Sequence, residues 1–214
     1  MRTKCLWLIL CLSLVISGCA GGPHIIGYNI EKGATLPPNM GTLEILALED
    51  QRPIQEHEGV KGKLLTFSSK DSHFSKEIAV AVEEILKEEM HNAGFSIVAG
   101  GQASDYKISG AVKHFQAIMS PAKITFLPYL GSVSTLWAKD EFTIALSIYI
   151  KMVDAKEQVL IDKTFDVSED LKLPTGLLSL ARYSRGFNYK LRLLDEALKD
   201  VLEQIREEAI AKVK

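Results

Sequence analysis

Cysteine carries the most available chemistry in this chain, and position decides what each one can do. Cys5 and Cys11 lie in an apolar run over residues 5–16, behind Arg2 and Lys4, whereas Cys19 directly follows Ile16-Ser17-Gly18. The small residues Ser17-Gly18 at the end of such a run mark a signal cleavage site, here between Gly18 and Cys19. Cys19 is then the one cysteine left, so the domain has no disulfide, no thiol nucleophile and no cysteine metal cage. Other motifs fail on inspection. Around Gly59-Val60-Lys61-Gly62-Lys63, a phosphate loop would need glycine and a hydroxyl where His57 and Leu64 stand. Gly131-Ser132-Val133-Ser134 lacks the closing glycine of a nucleophile elbow. His57 sits between Glu56 and Glu58, but adjacent residues rarely converge on one ion, and a solvated charged loop is the simpler reading. No catalytic residue, metal or cofactor is expected, and the chain does not read as an enzyme.

The first 18 residues have the layout of a secretory signal: a basic start, an apolar segment of about a dozen residues and small residues at the cut. The apolar segment is too short to span a bilayer, which takes roughly 20 residues. With Cys19 after Ser17-Gly18, the region looks like a bacterial lipobox; the competing reading is an ordinary secreted protein with an incidental Cys19. The lipobox implies a membrane partner through acylated Cys19. Ala20, in place of the aspartate that retains lipoproteins in the inner membrane, implies an outer-membrane anchor with the domain in the periplasm. Removing residues 1–18 takes Arg2 and Lys4 from the 25 basic side chains, leaving 23 against 27 acidic, a net −4. Nucleic-acid binding needs a basic face, so it is not expected.

The spacing then predicts a tether over residues 19–41 and one domain over 42–214. Ile25, Ile26 and Tyr28 are apolar for a tether and are candidates for docking on the domain. A short strand is expected from Leu43 to Leu48, followed by some twenty polar residues with no clear element. A helix is expected over residues 75–93, with a stripe of Ile78, Val82, Ile85 and Met90 and with Ser72 or Ser75 capping it. Gly94-Phe95 reads as its left-handed stop. Tyr106, Ile108, Gly110 and Val112 alternate as a strand that loses phase near His114-Phe115, as at a bulge. Phe142, Ile144, Leu146, Ile148, Ile150 and Met152 form the cleanest period-two run. Asp154-Ala155-Lys156-Glu157 is the expected hairpin turn, with Val159, Ile161, Phe165 and Val167 facing inward on the return. A last helix is expected over residues 188–212, its stripe made of Leu191, Leu194, Leu198, Val201, Leu202 and Ile205. Asp195, Lys199, Glu203 and Glu207 are expected on its wet side. These elements add up to an α+β fold: an antiparallel sheet of about four to five strands with two helices packed on one face.

Two stretches suggest binding. Residues 124–137 are apolar and uncharged, broken by Pro128 and Gly131, and much longer than a hairpin needs. Phe126, Leu127, Tyr129, Leu130 and Trp137 either form a contact surface or fold back over the core. Arg182, Arg185, Lys190 and Arg192 concentrate positive charge in an acidic chain, and either meet lipid phosphates or an acidic partner, or are scattered solvated charge.

The lipobox, Asp50-Gln51-Arg52 at a strand end, Ala93-Gly94-Phe95 at a helix end and the strand Asp105-Tyr106-Lys107-Ile108 resemble the YajG-like bacterial outer-membrane lipoproteins. The resemblance covers roughly residues 43–167 and implies no catalytic residues. The leading expectation is an outer-membrane lipoprotein whose periplasmic domain is a non-catalytic binding or assembly module for another envelope protein. The alternative is an auxiliary lipoprotein of an envelope transporter that carries lipid or another apolar ligand.

Overall fold

In the computed structural model of the chain, the described residues are 23–28, 40–59, 66–120, 139–174 and 179–213. In chain order the elements are β1 (Thr42–Ile45), β2 (Glu49–Asp50), α1 (Ile54–Glu58), β3 (Phe67–Ser68), a 3-10 turn (Asp71–His73), α2 (Ile78–Asn92), β4 (Ser96–Val98), β5 (Tyr106–Ser120), β6 (Lys139–Asp154), β7 (Val159–Pro174) and α3 (Ser179–Val213). Polar residues 51–73 thus hold a short helix, a strand and a turn that no periodicity announces.

The described strands form one seven-stranded sheet in the order β4-β1-β5-β6-β7, with β2 and β3 also on β5. Along one edge of β5 come β1 and β2, both parallel to it, and then β3, antiparallel. The other edge pairs antiparallel with β6 over its whole length, and β6 pairs likewise with β7. The expected antiparallel sheet of four to five strands is therefore corrected to a larger, partly parallel one. The cause is α2: parallel neighbours need a crossover of a dozen or more residues, and this helix carries the chain from β1 to β4, which lies parallel beside it.

One apolar core joins the inward faces of β5, β6 and β7 to both long helices. Phe142, Ile144, Leu146, Ile148, Ile150 and Met152 are all buried, as their alternation predicts. In β5 the register shifts between Val112 and His114, so Phe115 turns inward after the bulge. Gly110 is required by close approach, because a Cβ there would stand 2.2 Å from the Tyr149 carbonyl oxygen of β6. In β7, Ile161 and Phe165 are buried, but Val159 is exposed. A register shift places Ile161 opposite Met152 and Val159 opposite Val153, and this turns Val159 outward. In the hairpin turn, Asp154 Oδ1 accepts bonds from the Lys156 and Gln158 amides, and Glu157 adopts a positive φ of 62°.

Helix α2 ends where expected. Gly94 has φ +94°, its N–H donates to His91 O, and Phe95 N–H donates to Met90 O, the paired bonds of a glycine stop. Its start is corrected. The N-cap is Glu77, with no side-chain cap bond, rather than Ser72 or Ser75. The reason is that Phe74 and Ser75 are held in a bridge to His24, so the helix begins beyond them. Helix α3 starts at Ser179, well before the expected residue 188, and runs for 35 residues. Gly186 costs a helix interior only about 1 kcal/mol, too little to stop one that continues into a packed apolar stripe.

Candidate functional site

The residues expected to bind are placed unevenly. Cys19, Phe126, Leu127, Tyr129, Leu130 and Trp137 lie outside the described residues. The whole 124–137 stretch does so too; the described chain stops at Ser120, the end of β5, and resumes at Lys139, the start of β6. Arg182, Arg185 and Lys190 fall in the first half of α3, with side chains outside the described set, and Arg192 is exposed. The early start of α3 puts Lys190 and Arg192 several turns into the helix, beyond the first turn over which its dipole acts.

The described residues assemble two polar clusters whose pairings the sequence did not give. The first is made by residues 23–28, a strap lying across the domain. His24 N–H donates to His73 O at 2.7 Å, and Ser75 N–H donates to His24 O at 2.9 Å. The His24 ring bonds Asp195 of α3 through Nε2 at 2.9 Å, and Gly27 N–H donates to the same carboxylate. Asp195, expected on the wet side of α3, is buried because the strap covers it. Four residues on, the Tyr28 hydroxyl donates to Glu89 Oε1 of α2 at 2.8 Å, while Arg206 Nη1 of α3 donates to Glu89 Oε2 at 2.8 Å. Glu89 is 1% exposed. Burial, then the hydrogen bond to Glu89 and its negative charge, push the Tyr28 phenol far above its ordinary pKa. Ile26 is buried between these anchors, whereas Ile25 points outward and is 76% exposed. The strap thus ties α2 to α3 by charge and apolar contact together.

This cluster yields a prediction. Tyr28→Phe keeps the ring but leaves Glu89 Oε1 without its donor. A buried unsatisfied acceptor costs about 1–3 kcal/mol, and urea unfolding should show a loss in that range. An unchanged midpoint would mean that water replaces the hydroxyl and that the strap is only loosely held.

The second cluster surrounds Arg52, whose side chain is 1% exposed. Its Nε and Nη2 donate to the two oxygens of Asp50 at 2.9 and 2.7 Å, and Nη2 also donates to Asp71 at 3.0 Å. His57 closes the ring, with Nδ1 2.8 Å from Asp71 and Nε2 3.3 Å from the Arg52 carbonyl. Partial burial pushes the Asp50 carboxyl up, but the hydrogen bonds and charge of Arg52 outweigh it and hold the pKa below the ordinary value. Next to this knot, α1 fills a gap in the sheet. Between the residues of β5 paired with β2 and those paired with β3, Phe115 N–H donates to buried Glu56 Oε2 at 2.9 Å. Ala117 N–H donates to Ser69 Oγ at 3.0 Å. Side chains here replace a missing strand, because buried backbone donors must find acceptors.

Chemically, the Arg52 cluster fastens β2 and α1 to the 3-10 turn, and its carboxylates are committed to the guanidinium. Among the described residues no group of three His, Cys, Asp or Glu side chains is arranged to hold a metal ion. No described helix is long and apolar enough to cross a membrane. Sequence hinted at the first cluster through the apolar Ile25, Ile26 and Tyr28, and at the second through His57 and Asp50-Gln51-Arg52. The strap partners, separated by 171 residues in the case of His24 and Asp195, leave no local signal.

No protein-family profile matches this sequence, and no curated protein matches it well enough to count as a relative. Solved structures do resemble it. Protein XCC0632 from Xanthomonas campestris, of the DUF330 family, matches 90% of this chain and 96% of its own, with 12% identity and a TM-score of 0.50. Uncharacterized lipoprotein B from Nitrosomonas europaea covers 78% of this chain and 80% of its own, at 15% identity and a TM-score of 0.37. A minor lipoprotein from Acinetobacter baumannii covers 78% and 92%, at 10% identity and 0.34. At such identities the likeness is one of fold: the chain shares the architecture of the Xanthomonas campestris protein, and its structural neighbours include bacterial lipoproteins.

Proposed function

We propose that this chain is an acylated lipoprotein of the bacterial envelope, of the YajG-like kind, held in the outer membrane by Cys19. Its periplasmic domain is a non-catalytic binding or assembly module whose partner is another envelope protein. The observation that carries this reading is the ordered series of basic start, apolar run, Ser17-Gly18 and Cys19. Ala20 supports the outer membrane over the inner. The basic stretch of α3, from Arg182 to Arg192, supports an anionic partner, and that association should weaken with salt because exposed charges are screened within about 8 Å at physiological ionic strength. A second reading is favoured by one feature, the uncharged apolar stretch 124–137 between β5 and β6: an auxiliary lipoprotein of an envelope transporter, carrying lipid or another apolar ligand.

Affinity purification from a detergent extract tests both, with the wild-type chain beside the double variant Leu127→Ser/Leu130→Ser. An envelope protein retained by the wild type and lost from the variant is the expected result. Lipid retained instead would select the second reading, and neither would contradict both. Urea unfolding of the variant guards the interpretation, since truncating buried leucines costs about 2–5 kcal/mol each. A loss of that size would place Leu127 and Leu130 in the core.

A further inference from the structure

We infer that the strap sets the domain directly on the bilayer, with Ile25 in contact with lipid. The inference rests on the acylation of Cys19 proposed above and adds an orientation to it. Cys19 and Pro23 are four residues apart in sequence. A chain spans at most about 3.3–3.6 Å per residue, so Pro23 lies no more than about 14 Å from the anchored cysteine. From there the chain is fixed: His24 is bonded to His73, Ser75 and Asp195, and Gly27 to Asp195. The patch around His24 is therefore held close to the headgroups however the rest of the domain turns. A tether free as far as Met40 would instead have 21 residues and an r.m.s. span of roughly 25 Å.

The side chains at this patch suit a lipid surface. Ile25 is 76% exposed although its neighbour Ile26 is in the core. Single exposed apolar residues are common and mean little alone. This one is set apart by its place, six residues beyond the acylated cysteine on a segment that cannot leave the membrane's vicinity while docked. Arg192, exposed on α3, stands one helical turn before Asp195, the residue that binds the His24 ring. A cation beside the strap complements anionic headgroups. The strap thus replaces a long leash by a short one and turns this patch of the domain, rather than a random side, toward the bilayer.

The test uses the acylated mature protein in vesicles of phosphatidylethanolamine and phosphatidylglycerol. Cys19 is the mature chain's one cysteine and is blocked by lipid, so Ile25→Cys gives a single site for a polarity-sensitive fluorophore. An apolar group at the headgroup–acyl boundary lies about 5–10 Å deep, so headgroup-nitroxide lipids should lower the emission roughly twofold relative to unlabelled vesicles. Emission should also shift to the blue. If the protein floats with the vesicles but the label emits as in water and is not quenched, the orientation is wrong and the anchor stands. If the protein does not float, both the anchor and the orientation fail. The substituted position is exposed, and a circular dichroism spectrum matching wild type confirms that the variant is folded.

Discussion

Arg52→Ala should lower the unfolding free energy by about 2–3 kcal/mol and should release β2 and the 3-10 turn before the rest of the sheet. The guanidinium is buried and spans two carboxylates on separate segments, Asp50 and Asp71. Breaking a fully buried pair costs about 3–5 kcal/mol because the surviving charge is stranded. Here the cost is smaller for two reasons. Asp50 and Asp71 retain contact with water, and Arg52 Nη1 has no hydrogen-bond partner among the described residues, which already lowers its net contribution. Hydrogen exchange should report the loss first at the amides of residues 50–58 and 71–74. Loss spread evenly over the sheet would place Arg52 in the global core instead.

The same cluster predicts the acid side of the stability profile. Asp50 has a folded-state pKa below its ordinary value, so its contribution is complete above the unfolded pKa and is lost as pH falls through the folded one. Glu44, bonded by Gly101 N–H and then by Lys107, and Asp105, bonded by the Thr42 amide and hydroxyl, are shifted in the same direction. Stability should therefore hold near neutrality and fall below about pH 4, the unfolded carboxylate range. In Arg52→Ala the acid limb should be shallower, because Asp50 then titrates nearer its unfolded value.

What the sequence made legible, and what it did not, follows from the range of the forces involved. The period-two run of β6 is readable because every inward residue from Phe142 to Met152 meets the same core. The bulge near His114 shows as a break in that phase within one strand, and the Gly94 stop is a property of two adjacent residues. The parallel pairings of β1, β2 and β4 are not readable, since strands of two to four residues carry no period and their partners are chosen by the crossover through α2. Helix α1 has five residues and is held by Glu56 reaching the Phe115 amide, a bond across 59 positions. The strap is the clearest case. Ile25, Ile26 and Tyr28 hint at docking by being apolar, but Asp195, Glu89 and Arg206 read as ordinary surface charges until the tertiary structure brings them to His24 and Tyr28. Of the candidate site, sequence thus supplied the proposed anchor, Cys19, and only the apolarity of the strap.

Cys19→Ala is expected to abolish anchoring outright, where the other substitutions only weaken contacts. Without the thiol no lipid is attached, the signal over residues 1–18 is kept, and the strap has nothing to hold the domain to. Stable attachment needs more than one acyl chain, a single chain giving only marginal, reversible binding. Metabolic labelling with a radioactive fatty acid, read together with the intact mass of the membrane fraction, tests the claim most directly. The wild-type chain should take up label, begin at an acylated Cys19 and sediment with membranes, while Cys19→Ala should remain an unlabelled precursor. A wild-type chain that carries no label, or that begins at an unmodified Cys19, would contradict the envelope-lipoprotein account and the orientation built on it.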